Sequence, residues 1–347
     1  MKLSTSLNYA GGFKQAVDQV VELERVGLDM VWVAEAYSFD AISSMGYLAA
    51  RTTTVEIAAG ILPIYTRTPT LIAMTAAGID ALSEGRCILG LGASGPQVIE
   101  GFHGLPYDRP LGRTREIIDI CRQVWRREKV IHDGASYQIP LPEGQGTGLG
   151  KPLKLINHPV RSEIPIYVAS LGPKNVAMTA EKADGWLPLF YLPEKAQKVW
   201  GDDLAAGAAK RSADLGPMEI VAGGLLSVGE GAEAVREFSR PMTALYVGGM
   251  GAKGKNFYND LVKRYGYEAE AEAIQDLYLD GKKDEAAALV PDELLEATTL
   301  CGSEGYVRER LAAYKESGVT VLNITPVGPD PVKLIEQVKG WIEDLPR

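Results

Sequence analysis

Eight short β-rich runs, each followed by a spacer of helical length, constrain this chain more tightly than any other feature it carries. The runs are Leu3–Asn8, Met30–Ala34, Val55–Gly60, Arg86–Gly92, Pro165–Ala169, Gly185–Leu189, Met218–Val228 and Thr320–Thr325. Parallel strands cannot be joined by a tight turn, because the chain must travel back to the end where it started, and a crossover helix is the usual route. The spacers read as such helices. Between residues 12 and 26, Ala16, Val17, Val20, Val21 and Leu23 form one apolar stripe with a charged back, and Gly27 supplies a stop. The segment 70–82 is largely apolar and ends in Ser83-Glu84-Gly85, while 331–342 opens at proline behind Asp330, a capping residue. Eight β/α units predict an α/β fold of the (β/α)8 or TIM-barrel type, with its site at the carboxyl ends of the strands.

Two segments break the rhythm and are expected as loop insertions. Residues 133–162 are rich in Gly and Pro, and residues 232–298 are helical and acidic, interrupted by Gly248-Gly249-Met250-Gly251. The first is expected near a site, the second as short helices capping one barrel end. With no internal repeat and no linker, residues 1–347 are expected to form one domain.

Composition narrows the partners. Hydrophobic residues make up 46% of the chain and charged ones 23%, enough for a large core, and the formal charge of −9 disfavours nucleic acid and anionic membranes. The three cysteines, Cys87, Cys121 and Cys301, have neither disulfide nor zinc spacing, which suits a reducing cytoplasm. Polar residues follow Met1 too soon for a signal peptide, and no run of about 18 apolar residues is present to span a bilayer. The histidines are His103, His132 and His158, and no metal-ligand motif is found.

Three segments carry candidate chemistry. Gly90-Leu91-Gly92-Ala93-Ser94-Gly95 fits the dinucleotide fingerprint, but three strand-helix units precede it, and no acid about 20 residues on sits at a strand end. The alternative is that these glycines turn the chain at a barrel rim. Gly60-Ile61-Leu62-Pro63-Ile64-Tyr65-Thr66-Arg67-Thr68-Pro69 is stiffened by two prolines and presents Tyr65 and Arg67 at a strand end, with Arg67 a candidate anion ligand. Ser170-Leu171-Gly172-Pro173-Lys174-Asn175 breaks a strand and starts a helix, whose free amides favour a phosphate. His103, in the loop after the fourth strand, is a candidate acid or base.

Taken together, these segments resemble the luciferase-like monooxygenase superfamily, and within it the deazaflavin-dependent oxidoreductases of mycobacteria and their relatives. The likeness rests on Gly27-Leu28-Asp29-Met30-Val31-Trp32-Val33-Ala34-Glu35, Arg67-Thr68-Pro69, Leu82 through Gly92, Ser170-Leu171-Gly172-Pro173-Lys174 and Ala183-Asp184-Gly185-Trp186. It implies a small-molecule oxidoreductase that transfers hydride through coenzyme F420, with an FMN-dependent monooxygenase and a non-catalytic ligand-binding barrel as alternatives. By position, Gly92, Ala93, Ser94 and Gly95 are expected beside the ring, and Ser170, Leu171, Gly172, Pro173 and Lys174 by the phosphate. Relatives carry a non-proline cis bond after strand three, here Gly60–Ile61, and pair through the helices beside strands two and three, so a homodimer or larger homo-oligomer is expected. Alcohol-oxidising relatives have an Asp-His pair after strand two and a glutamate after strand four, where this chain has Glu35-Ala36 and Ser94-Gly95-Pro96. That leaves Glu35, Tyr65 and His103, in this order, as candidates for proton transfer.

Overall fold

The computed structural model of the chain describes residues 1–8 and 12–346. All eight expected strands form: β1 (Lys2–Ser6), β2 (Met30–Val33), β3 (Glu56–Ala59), β4 (Cys87–Gly92), β5 (Ile166–Ala169), β6 (Gly185–Leu187), β7 (Glu219–Val228) and β8 (Val321–Pro326). Each pairs in parallel with the next, and β8 pairs back onto β1 at Leu3↔Leu322, which closes the sheet into a barrel. Helices cover its outside as the periodicity requires. Helix Phe13–Arg25 buries Val17, Val20 and Leu23, and helix Pro331–Asp344 is capped by the Asp330 carboxylate, which accepts from the Lys333 amide at 3.0 Å.

Alternation along the strands sends every second side chain inward. Met30, Trp32, Ala58, Ile88, Tyr167, Val221 and Val321 thus form a cluster of their own inside the barrel, separate from the larger core between strands and helices. Each large side chain buried there stabilises the fold by about 1.5–3 kcal/mol. One layer higher, the same inward faces are open: Ser6 and Thr325 are exposed, and Leu225 and Asn323 half-exposed. The barrel is therefore filled in its middle and hollow at the carboxyl end, which is where a ligand has room.

Four strand segments escape the sequence reading because they are two or three residues long, too short to show a period. Leu62–Pro63 pairs with β4, Leu300–Gly302 pairs with the upper half of β7, and His132–Asp133 forms a hairpin with Gln138–Ile139 inside the first insertion. The second insertion folds into six short helices, beginning with Ala232–Phe238 and ending with Asp292–Thr298, plus a π-helical turn at Leu245–Gly249.

Candidate active site

Strand β3 leaves its ladder early. Ala58 pairs with Ile88, and pairing resumes at Leu62 with Leu91, so one side advances four residues while the other advances three. The surplus residue makes a bulge at Ala59-Gly60-Ile61, and the Gly60–Ile61 bond within it is cis. Its neighbours fit it by lacking side chains. A Cβ on Gly90 would lie 1.7 Å from the Ala59 carbonyl oxygen, and one on Gly92 would lie 2.7 Å from Ile61 Cγ1. Trp32 packs against Gly60 from the adjacent strand, its buried indole Nε1 without a partner among the described residues. The first two glycines of the apparent dinucleotide fingerprint thus serve close chain approach inside a barrel, and the Rossmann reading is set aside. Ser94, two residues past Gly92, has φ 58, a left-handed conformation that non-glycine residues seldom adopt and that concentrates at functional sites.

A second feature lies at the end of β5. The Ser170 hydroxyl and the Thr179 hydroxyl are 2.9 Å apart, Trp186 Nε1 donates to the Ser170 carbonyl at 2.9 Å, and Trp200 Nε1 donates to the Leu171 carbonyl at 3.1 Å. Two indoles therefore hold the loop from beneath. Gly172 then caps helix Pro173–Lys182, and a Cβ there would meet nothing within 4 Å, so the space before the helix is open. The amides of Lys174 and Asn175 belong to the first turn, which has no internal acceptors, and the exposed Lys174 stands beside them.

Glu35, after β2, and Arg67, before helix Pro69–Leu82, form a bidentate ion pair. Arg67 Nη1 and Nη2 donate to Glu35 Oε1 and Oε2 at 2.5 and 2.8 Å, and the Ala41 amide donates to Oε2 at 2.8 Å. Both side chains are largely shielded, at 8% and 15% exposure. The Glu35 hydrogen bond raises the Arg67 guanidinium above its ordinary value, so the arginine stays charged.

Aromatic residues wall the remaining sides. Tyr65 and Tyr107 lie 5.2 Å apart, with Arg113 5.4 Å over the Tyr65 ring. Tyr65 donates its hydroxyl proton to the Asp108 carbonyl at 2.8 Å, whereas Tyr107 reaches the Ser94 carbonyl at 3.4 Å. Facing them, Tyr246 in the π-helical turn, Tyr258 in helix Phe257–Arg264 and Phe190 after β6 meet edge to face at 4.8–6.2 Å. Burial, then the phenols of Tyr246 and Tyr107, push Tyr258 up to about 12, and burial raises Tyr65 and Tyr107 as well. These phenols remain protonated donors at neutral pH.

The luciferase-like monooxygenase family profile matches residues 1–321. The chain belongs to that family. Within it, this luciferase-like chain is 41% identical, over 96% of its length and 97% of the other's, to Rv3520c of Mycobacterium tuberculosis, whose name assigns it provisionally to the coenzyme F420-dependent oxidoreductases. It is 29% identical to the 5,10-methylenetetrahydromethanopterin reductase of Archaeoglobus fulgidus, over 91% and 90% of the two chains. Among solved structures, the coenzyme F420 dependent tetrahydromethanopterin reductase from Methanopyrus kandleri superposes with a TM-score of 0.81 at 22% identity, covering 99% and 98%. An F420-dependent secondary alcohol dehydrogenase in complex with an F420-acetone adduct gives 0.72 at 18%, covering 98% of both chains.

For this luciferase-like barrel the expected site residues divide into two groups. Gly60, Ile61, Gly92, Ala93, Ser94 and Gly95 lie together around the bulge, and Ser170, Leu171, Gly172, Pro173 and Lys174 form the loop and helix start after β5. Arg67 and Glu35 are committed to each other, so Arg67 is not a free anion ligand and Glu35 is not a free base. His103 follows helix Pro96–Gly101, about 9 Å of helix beyond the Gly92–Gly95 loop, with its ring edge-on to exposed Phe102 and its buried Nε2 unpartnered among the described residues. Tyr107, Tyr246 and Tyr258 were not singled out from sequence. Tyr107 stands between Pro106 and Pro110 in the loop after β4, and this stiffened rim position was the available signal.

Proposed function

We propose that this chain is a coenzyme F420-dependent oxidoreductase acting on a small organic molecule. The observation that carries the cofactor choice is the 41% identity, across nearly both whole chains, to a relative named for F420 dependence. The site fits such a group. Gly92 lets Ile61 pack against the end of β4, so the bulge and the Ser94-Gly95 turn can border a tricyclic ring, and the amides of Lys174 and Asn175 with the open space at Gly172 suit a tail phosphate. When bound, F420 supplies a hydride donor or acceptor at C5 of its ring. Gly92, Ala93, Ser94 and Gly95 would border that ring, and Ser170, Leu171, Gly172, Pro173 and Lys174 the phosphate. Ala36 stands where alcohol-oxidising relatives have histidine, and Glu35 is locked to Arg67, which supports work in the reductive direction.

Titration of the purified chain with F420 and with FMN, followed by cofactor fluorescence, tests this reading. F420 is expected to bind at least about tenfold tighter than FMN, a difference of about 1.4 kcal/mol. Equal or tighter FMN binding would turn the assignment towards an FMN-dependent monooxygenase.

The chain is further read as a cytoplasmic homodimer. Its three cysteines are buried and free, which suits a reducing compartment, and no helix among the described residues is long and apolar enough to cross a membrane. Helix Pro69–Leu82 turns Leu71, Met74 and Leu82 outward at 45%, 52% and 66% exposure, and exposed Tyr37, Phe39 and Phe102 lie in loops at the barrel rim. An apolar stripe of this kind suits a second copy of the same helix. Sedimentation is expected to give a dimer for the native chain and a monomer for Met74→Glu. A native monomer would remove the dimer from the account.

A further inference from the structure

The slot over the ring-binding loop has a consistent chemistry. Of its bordering charges Glu35 pairs with Arg67 and Asp108 with Arg113 at 2.7 Å, while exposed Glu100, which accepts from the Tyr107 amide at 3.2 Å, adds a further carboxylate. Its walls are aromatic: Tyr65 and Tyr107 on the β3–β4 side, and Tyr246, Tyr258 and Phe190 opposite. An anionic ligand entering such a slot would lose its hydration and meet a further carboxylate, whereas a flat neutral molecule would gain ring contacts. The hydroxyls remain as the polar handles. Of the two on the β4 side, Tyr65 spends its proton on the Asp108 carbonyl at 2.8 Å, while the Tyr107 contact to the Ser94 carbonyl is long, at 3.4 Å, and more readily exchanged for a ligand oxygen. Because Ser94 belongs to the loop assigned to the ring, the Tyr107 hydroxyl stands where a substrate over that ring would present its reacting group.

We propose that the slot takes an uncharged, planar carbonyl compound, and that the Tyr107 hydroxyl donates to the carbonyl oxygen and supplies the proton for its reduction. This rests on the F420 reading above. The carbonyl carbon gains the hydride released by the reduced deazaflavin, forming a C–H bond as the C–O π bond breaks. The oxygen takes the Tyr107 proton to become a hydroxyl, and solvent restores the phenol. The substrate is reduced by two electrons and the deazaflavin oxidised by two. Tyr107 thereby takes the proton-transfer role first assigned to Glu35, Tyr65 and His103.

The test uses the F420-loaded protein and three naphthalene probes: acetonaphthone, which is neutral and carries a carbonyl, ethylnaphthalene, which lacks it, and naphthoate, which is anionic. Acetonaphthone is expected to bind at least about tenfold tighter than naphthoate. In Tyr107→Phe its affinity should fall about five- to tenfold, to the level of ethylnaphthalene, whose own affinity and that of F420 stay within about twofold. Oxidation of reduced F420 by acetonaphthone should slow by about a hundredfold or more in the same variant. Naphthoate binding as tightly as the ketone, no neutral probe binding, or a ketone affinity indifferent to Tyr107→Phe would overturn the inference while leaving F420 dependence intact. Failure of F420 itself to bind would instead bring down the functional reading beneath it.

Discussion

Gly90→Ala is expected to destabilise the barrel by about 3 kcal/mol or more and to abolish cofactor binding. The methyl group would sit 1.7 Å from the Ala59 carbonyl oxygen, and that oxygen belongs to backbone held in the barrel wall, so no side-chain rotation relieves the clash. Strands β3 and β4 would have to part at the bulge, which is the place where the ring edge is expected to rest. Urea denaturation gives the stability change, and F420 fluorescence titration the binding. Gly101→Ala, where a Cβ meets nothing within 4 Å, serves as the control and should leave both nearly unchanged. A Gly90→Ala protein as stable as the native one would mean that the bulge is not packed as described.

The second large effect concerns the rim pair. Arg67→Met removes the partner of a carboxylate that is 8% exposed, leaving Glu35 shielded and unpaired. Breaking a shielded pair from one side costs about 3–5 kcal/mol, whereas replacing both members with apolar side chains is often close to neutral. Arg67→Met is therefore expected to lower the urea midpoint sharply, and Glu35→Met combined with Arg67→Met to recover most of it. Simple addition of the two single effects in the double variant would contradict the pairing. Because the Ala41 amide also depends on Glu35, the double variant should still fall a little short of the native protein.

The fold was legible because its signal is repeated. Eight strands with helical spacers leave little choice of architecture, and each predicted strand lies within a few residues of its observed bounds. What escaped was either too short or non-local. Leu62–Pro63 and Leu300–Gly302 are strands only because a neighbour supplies hydrogen bonds, and their composition carries no period. The turn at the start of helix Pro173–Lys182 was legible because glycine and proline announce unusual backbone, whereas the cis bond at Gly60–Ile61 was expected only from the family resemblance. Glu35 and Arg67 were each read singly as a base and an anion ligand. Their pairing spans 32 residues and depends on how β2 and β3 bring their loops together, which sequence spacing does not encode. Tyr107 and Tyr258 lie further apart still, on a loop after β4 and a helix after β7, and approach only when the insertion folds over the barrel mouth.

One measurement decides the account most directly: an experimental structure of the chain with F420 bound. The tricyclic ring is expected against Ile61 and the Gly92–Gly95 turn, with the tail phosphate on the amides of Lys174 and Asn175. Cofactor density at any other place on the molecule, or a ring turned away from the bulge, would contradict it.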